Sequence, residues 1–514
     1  MNILNRIRDY AERDPERVAV INGTQRLTYG QLWEYSGRLA EWMLHREARR
    51  DPVAVYGHKH PWMLVCFLAC VRAGRAYCPI DISVPDARVN LILKSLPSGF
   101  VLTTEAMRAD AQDKQVLTRE DLTAIIHPET EEKISDGPEE ELWVKGDETY
   151  YIIFTSGSTG TPKGVQITAD CLNHYLDWSL ELGSSRKQKE GQVFLNQAPF
   201  SFDLSVMDLY TSLASGGTLF CLEKAVQSDY RLLMQSLRES GANVWVSTPS
   251  FAEVCLSEPS FSADMMPQMQ VFLFCGETLG NRTARKLQER FPHSCVVNTY
   301  GPTESTVAVT DVLVTREVEQ QENPLPVGRA RPGTTIEIWD EEGKILPEGE
   351  KGEIIIIGDT VSTGYYGRPD LTEKSFFVVD SGYALIRGYH TGDKGYLKDG
   401  MLYYCGRIDL QIKLHGYRIE LEDIENNIRR LPWIEHVVVV PNSRGGRVTS
   451  LTAYVVRRDG VPDEAHTAEA AQKMRDELQQ FLPDYMVPKK TVFLDQMPMT
   501  NNGKADRKLL GGKC

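Results

Sequence analysis

No two cysteines of this 514-residue chain stand in a C-x-x-C pair, and none of the ten shows the spacing of a zinc site. They are expected to be reduced, mostly buried thiols. No apolar run approaches the ~20 residues needed to span a bilayer, and the best candidate, residues 62–71, reads as a core helix, so no stable membrane insertion is expected. The opening "MNILNRIRDYAERDPERVAV" carries charge throughout and lacks the apolar segment of a signal peptide, which points to a cytoplasmic protein. Basic residues are in deficit: 57 Lys and Arg against 71 Asp and Glu leave a net charge of -14. Such a surface repels a phosphodiester backbone, so nucleic acid is excluded as the expected partner. Repeats and low-complexity tracts are absent, and the 41% hydrophobic and 25% charged shares describe an ordinary globular chain of roughly two to four domains.

The first half alternates short β-rich runs with helical patterns. "VAVYG" at 53–57, "YYIIF" at 150–154, "NVWVST" at 243–248 and "VFLFCG" at 271–276 read as strands, and 29–44 as a helix. Alternation of this kind predicts an α/β architecture with layered sheets. After about residue 325 the Gly- and Pro-punctuated "GTTIEIWDEEGKILPEGEKGEIIIIG" predicts hairpins in a β-rich subdomain. Beyond "GRIDLQIKLHGYRIELEDIENNIRRL" the reading is a small α+β domain. It holds a helix with Leu421, Ile424 and Ile428 on one face, a strand at "EHVVVVP", an amphipathic helix at 468–482 and an exposed polar tail. The expected division is 1–408 and 409–514, with Asp409 at the boundary.

Four stretches carry chemistry. "FTSGSTGTPKGV" is not a Walker loop, because Pro162 rather than Gly precedes Lys163. Its Gly157, Gly160 and Gly164 nevertheless allow close backbone approach, and Thr155, Ser156, Ser158 and Thr159 supply hydroxyl donors suited to a polyphosphate. "NTYGPTES" sets Thr303 and Glu304 beside a Gly-Pro turn, an oxygen-rich group that could take phosphate and Mg2+. "YHTGDKGY" places Asp393 after a Thr-Gly turn, and "MPMTNNGKADRKLL" places Lys504 in a tail turn. Taken singly, the first is equally readable as an ordinary Gly/Ser turn, the next two read better as surface turns, and Lys504 reads by default as a solvated tail lysine.

Together "YYIIFTSGSTGTPKGVQIT", "NTYGPTE", "YHTGD", "GRIDLQIKLHGYRIELEDIE" and "NNGKADRK" resemble the ordered motifs of the adenylate-forming enzymes, which include amino-acid-activating domains and acyl-CoA synthetases. One position departs, His390 standing where the pattern usually has Arg. The stretches at 194–219, 248–251 and 274–279 are similar to the branch that activates D-alanine and loads it onto a phosphopantetheinylated D-alanyl carrier protein for teichoic acid D-alanylation. With no carrier, condensation or reductase segment visible, the resemblance implies a stand-alone activating enzyme that uses ATP and Mg2+.

The same resemblance implies residue roles. Thr155, Ser156, Gly157, Ser158, Thr159, Gly160 and Lys163 would cradle the β- and γ-phosphates. Asn298, Thr299, Tyr300, Gly301, Pro302 and Thr303 would line adenine and the α-phosphate, and Glu304 would hold Mg2+. Asp393 and Arg407, with Tyr404, Cys405 and Gly406, would hold the ribose; Asp203 would pair with the substrate ammonium, and Cys275 and Val307 would close a methyl-sized pocket. Lys504 would bridge substrate carboxylate and α-phosphate, and Asp409 would be a hinge. Separately from the resemblance, the local basic set Lys489, Lys490, Arg507 and Lys508 is expected to attract an acidic carrier despite the negative total charge. Two other readings stay open: an enzyme loading L-alanine, glycine or serine onto a peptide-synthetase carrier, and a non-catalytic adenylate binder.

Overall fold

A computed structural model of the chain describes residues 2–111, 113–127, 137–157, 161–183, 190–408, 411–444, 447–499 and 506–511. Two sheets dominate the first two-thirds. Among the described residues one has nine strands and the other six, largely parallel, with antiparallel pairs at their edges. The helices Trp62–Arg72 and Leu204–Ala214 join strands of both sheets in one apolar core. Each residue of Leu204–Ala214 is buried, as is each residue of the other from Met63 on. Neither helix gives a face to water, and the polar side chains of the second find partners inside, Asp208 from Asn196 and Thr211 with Ser179, so both settle between layers. The Tyr29–Arg46 helix starts where Thr28 and Gln31 form a reciprocal capping box.

The predicted hairpin after residue 325 is the antiparallel pair Thr334–Trp339 and Gly352–Gly358, part of a five-stranded sheet that also holds Leu385–Lys398 and Met401–Arg407. Next comes a two-stranded hairpin, Gln411–Leu414 with Tyr417–Glu420. The helix Leu421–Arg429 then turns Leu421, Ile424 and Ile428 inward. A separate core forms there against the three-stranded sheet of Ile434–Arg444, Arg447–Arg457 and Lys490–Phe493. The mixed α/β layering is as the sequence predicts.

Several local expectations are corrected. "YHTGD" is not a turn: it lies inside the 14-residue strand Leu385–Lys398, where Gly392 at φ 66° makes a local irregularity. The amphipathic helix spans Glu464–Leu478 rather than 468–482, because Pro483 follows too closely for it to continue. The tail is not wholly exposed, since Arg507–Gly511 is helical and buries Leu510, whose carbonyl accepts from the Tyr454 hydroxyl at 2.9 Å. Arg507 is therefore no free docking charge: it pairs with the buried Glu425 at 2.7 Å and donates to the Val439 carbonyl. His390 pairs with Glu353 at 3.2 Å and packs between Trp339 and Phe377.

Candidate active site

Asp203 stands at the N-cap of the Leu204–Ala214 helix, where its side chain makes no capping hydrogen bond to the first turn's later amides. It accepts a hydrogen bond from the Thr303 hydroxyl at 2.7 Å. Burial pushes its pKa up to about 6, against the Thr303 bond and the charge of Lys413. Asp203, Cys275, Val307, Gly301, Pro302 and Thr303 line one cavity of about 40 Å³. Its far wall comes from the 411–420 hairpin, through Gln411, Ile412, Lys413, Gly416 and Arg418.

The wall at Val307 has an unusual backbone. Thr306 and Val307 both have positive φ, 61° and 70°, a region that β-branched residues avoid. Local bonds hold the pair: Thr306 donates to the Thr360 carbonyl at 2.8 Å, and the Cys275 thiol lies 3.6 Å from the Val307 carbonyl. Gly301 is confined as well, because an added Cβ would lie 2.5 Å from the Ala308 Cα.

Glu304 is fully buried in a short 3-10 turn after the strand Cys295–Tyr300. Its Oε1 accepts from the Tyr365 hydroxyl at 2.7 Å and its Oε2 from Arg418 at 2.5 Å. Against the upward push of burial, Arg418 and Lys163 hold the carboxyl down at about 2. Asp393 is also enclosed. Strand register sets it opposite Arg407, which reaches it at 2.8 Å, while the Tyr300 hydroxyl donates to its other oxygen at 2.6 Å. The Tyr300 and Tyr404 rings pack 5.9 Å apart, with the Lys413 ammonium 5.7 Å from each ring centroid. Asn298 donates to the Pro326 carbonyl, and Thr299 to the Phe274 carbonyl.

A second cavity, of about 440 Å³, shares Arg407, Gln411 and Arg418 with the first and continues past Gly157, Lys163 and Tyr365. The Lys163 ammonium sits 3.7 Å from Glu420 and 5.0 Å from the Tyr365 ring. Burial and the neighbouring Arg418 lower its pKa, opposed by Glu304 and Glu420. Thr155 faces Lys163 across the strand pair, and Ser156 accepts from the Glu420 amide while donating to the Arg418 carbonyl at 2.8 Å. An added Cβ at Gly157 would lie 2.2 Å from the Thr161 carbonyl.

The hairpin is seated by specific contacts. Glu277 takes the Gly416 amide at 2.9 Å, Phe202 stacks on Tyr417 at 5.4 Å, and Arg88 pairs with Asp423 at 3.0 Å. Gly416 has φ 83° and lies so close to Thr248 that a Cβ would come within 2.4 Å of its methyl group.

Ten of the candidate site residues line the two adjoining cavities, while Glu304, Tyr300 and Ser156 bond to residues that do. Cys405 does not: it is exposed on the opposite strand face from Tyr404. Ser158, Thr159, Gly160, Asp409 and Lys504 lie outside the described residues. Sequence reasoning missed Lys413, Arg418, Glu277, Tyr365 and Phe202 as site members. The 411–420 stretch stood out as a motif, but nothing in its pattern says that its cations face Asp203 and Glu304. Chemically, the enclosure offers a buried carboxylate in a small pocket beside a cluster of cations, a setting for an ammonium-bearing acid next to a phosphate.

The fold and this site suit an α/β enzyme that uses a nucleotide to activate a carboxylate, in a cavity walled on one side by the 411–420 hairpin. The AMP-binding enzyme family matches residues 7–366 and the AMP-binding enzyme C-terminal domain residues 423–504, and the chain belongs to that family. It is 46% identical over 515 aligned residues to the D-alanine--D-alanyl carrier protein ligase of Bacillus cereus (strain B4264), covering 99% of each chain. Identity and coverage are the same for the enzyme of that name from Bacillus mycoides (strain KBAB4). A solved structure of an NRPS protein containing adenylation and PCP domains, bound to a vinylsulfonamide inhibitor, superimposes with a TM-score of 0.81 at 25% identity, over 99% of this chain and 84% of that one.

Proposed function

We propose that this enzyme activates D-alanine with ATP as D-alanyl-adenylate and transfers it to the phosphopantetheine thiol of a D-alanyl carrier protein, for D-alanylation of teichoic and lipoteichoic acid in the cytoplasmic half of that process. The observation that carries the reading is Asp203: a buried carboxylate, hydrogen-bonded to Thr303, at the end of a small pocket walled by Cys275 and Val307. A carboxylate there serves a substrate ammonium through a charge-assisted bond, and would have no use for a plain fatty acid. The full-length likeness to ligases of that name supports the same reading.

In the first half-reaction a carboxylate oxygen of the amino acid attacks the α-phosphorus, the P–O bond to the β-phosphate breaks, and pyrophosphate leaves. In the second, the thiol sulfur attacks the acyl carbon, the bond to the phosphate oxygen breaks, AMP departs, and the thiol proton is lost to solvent. Neither step needs a protein nucleophile, so the residues act by positioning and charge. Lys163 and the loop from Thr155 to Gly164 would hold the β- and γ-phosphates, Asn298 to Thr303 the adenine and α-phosphate, and Asp393 with Arg407 the ribose, along the wall of Tyr404 to Gly406. Lys504 would bridge the reacting carboxylate and phosphate, and the small part, pivoting at Asp409, would then exchange Lys504 for the pantetheine path.

Glu304, buried and ionised, has the hard oxygen chemistry that Mg2+ takes. With the 411–420 hairpin seated, Tyr365 and Arg418 occupy both its oxygens, so the carboxylate suits the ion only after Arg418 withdraws. Mg2+ bound there would neutralise phosphate charge.

A panel of amino acids in ATP–pyrophosphate exchange, including both alanine enantiomers, tests the proposal. D-alanine is expected to exceed L-alanine by roughly 10–200-fold in kcat/KM, the worth of one misplaced methyl. Equal values would overturn the assignment. A preference for glycine, L-alanine or serine would favour the peptide-synthetase reading, which the likeness to an adenylation–PCP protein supports. No exchange with any amino acid would favour a non-catalytic binder.

A further inference from the structure

Lys59 lines neither cavity; it sits in the loop between the strand Val53–Tyr56 and the helix Trp62–Arg72 and is only 1% exposed. An ammonium in such a place must find compensating groups or lose its charge. It donates to the Asn196 side-chain carbonyl and to the Ala198 backbone carbonyl, and lies 4.9 Å from the Phe200 ring centroid. Asn196 in turn donates at 2.8 Å to Asp208, a fully buried carboxylate whose second oxygen has no partner among the described residues. Burial lowers the Lys59 pKa, and pushes that of Asp208 up to about 8 against the pull of Lys59 and Asn196.

The Lys59 carbonyl accepts from the Asn22 side chain at 2.9 Å, but the groups its ammonium touches belong to one piece of chain. Asn196 ends the strand Val193–Asn196, and the connection through Ala198 and Phe200 ends at Phe202 and Asp203, where the Leu204–Ala214 helix begins. Phe202 stacks on Tyr417 of the hairpin, and Asp203 is the carboxylate of the small pocket. The Phe202 amide bonds only back to Pro199, within the same connection. The Lys59 ammonium holds the upstream end of this segment, while Gln227 bonds Gln197, Phe67 packs on Phe200 and Thr303 bonds Asp203 further along.

We propose that Lys59 is a positioning residue for amino-acid recognition: through Asn196 and Ala198 it fixes the segment that presents Phe202 and Asp203 to the pocket. This rests on the functional reading above. The rival explanation is that Lys59 merely compensates the buried Asp208 charge and matters only for stability.

The two separate in a double substitution. Lys59→Met should lower Tm and raise KM for the amino acid by about 10- to 100-fold, with KM for ATP changed less than about twofold, because a misplaced substrate-holding group is costly even when displaced slightly. Asp208→Asn alone should leave both KM values unchanged. In Lys59→Met/Asp208→Asn, compared with the parent above pH 8, where the Asp208 carboxyl ionises, no buried carboxylate is left to need a counter-charge, so Tm should recover while the amino-acid KM stays raised. Amide hydrogen exchange at Phe202, Ser205 and Val206 should also remain faster than in the parent. Recovery of KM together with Tm in the double variant, or parent-like amide exchange there, overturns the proposal. Should the parent show no exchange with any amino acid, the functional reading fails, while the amide measurement still decides whether Lys59 anchors the segment.

Discussion

Replacing Asp203 with Asn should make the protein more stable while it ruins recognition of the amino acid. In the folded chain the Asp203 carboxyl titrates at about 6 instead of the ordinary 3.8, burial being the main cause. Between those values the native state holds a proton that the unfolded chain has released. Stability therefore falls as pH rises from about 4 to about 6, and above that range the full cost remains. The gap corresponds to about 3 kcal/mol. Asn keeps an oxygen for the Thr303 hydroxyl but carries no charge to desolvate, so Asp203→Asn should gain up to that amount at pH 7.5 and nothing near pH 4. For a cooperative unit of this size the gain is roughly 3 °C in Tm. Paired thermal scans of parent and variant at pH 4, 5, 6 and 7.5 would show the difference opening as pH rises. Pyrophosphate exchange would show the other side: amino-acid KM up by about 10–100-fold from loss of a charge-assisted bond, with KM for ATP unchanged. In the parent, amino-acid KM should itself climb about tenfold per pH unit below 6, as Asp203 is protonated. A variant less stable than the parent at pH 7.5, or a difference that ignores pH, would refute the reasoning.

Other substitutions test the hairpin and the undescribed residues. Arg418→Met removes the partner of the fully buried Glu304, and breaking such a pair costs about 3–5 kcal/mol unless the hairpin swings away and lets water in. A fluorescence-transfer pair across the large and small parts should report loss of this arrangement, and an unchanged distance would contradict it. Lys504→Ala should cut exchange by ~10²–10³-fold, the usual worth of one transition-state charge contact, and a normal rate would return the residue to solvent. Asp409→Pro, which fixes φ near about -65°, should keep much of the exchange and lose most thioester formation. Parallel loss of both would point to another hinge.

Local pattern carried the architecture further than it carried the site. The all-apolar run at 62–71 and the alternation around 334–358 report their own burial, because period and composition are set by the layer each segment faces. Asp203, Glu304 and Asp393 were readable through motif resemblance. Their partners were not: Arg418 and Lys413 act across more than 100 residues of sequence, and Tyr365 meets Glu304 only because a separate sheet packs there. The "YHTGD" stretch misled because Thr-Gly-Asp is turn chemistry, yet pairing on both sides of the strand overrides it. Lys59 gave no signal at all, since a lysine beside two histidines looks like a solvated loop.

The positive-φ pair at Thr306 and Val307 bears on how this pocket could change under selection. Enlarging a binding pocket usually hollows the protein and weakens it, so new specificity has to be compensated by stabilising changes elsewhere. At Val307 the two effects have opposite signs. Glycine would remove the side chain that walls the cavity, but it would also occupy φ 70° without strain, recovering about 1–3 kcal/mol that a β-branched residue forfeits there. A single replacement could therefore admit a bulkier substrate at little net cost in folding. Fold stability alone therefore gives little reason for the pocket to stay narrow.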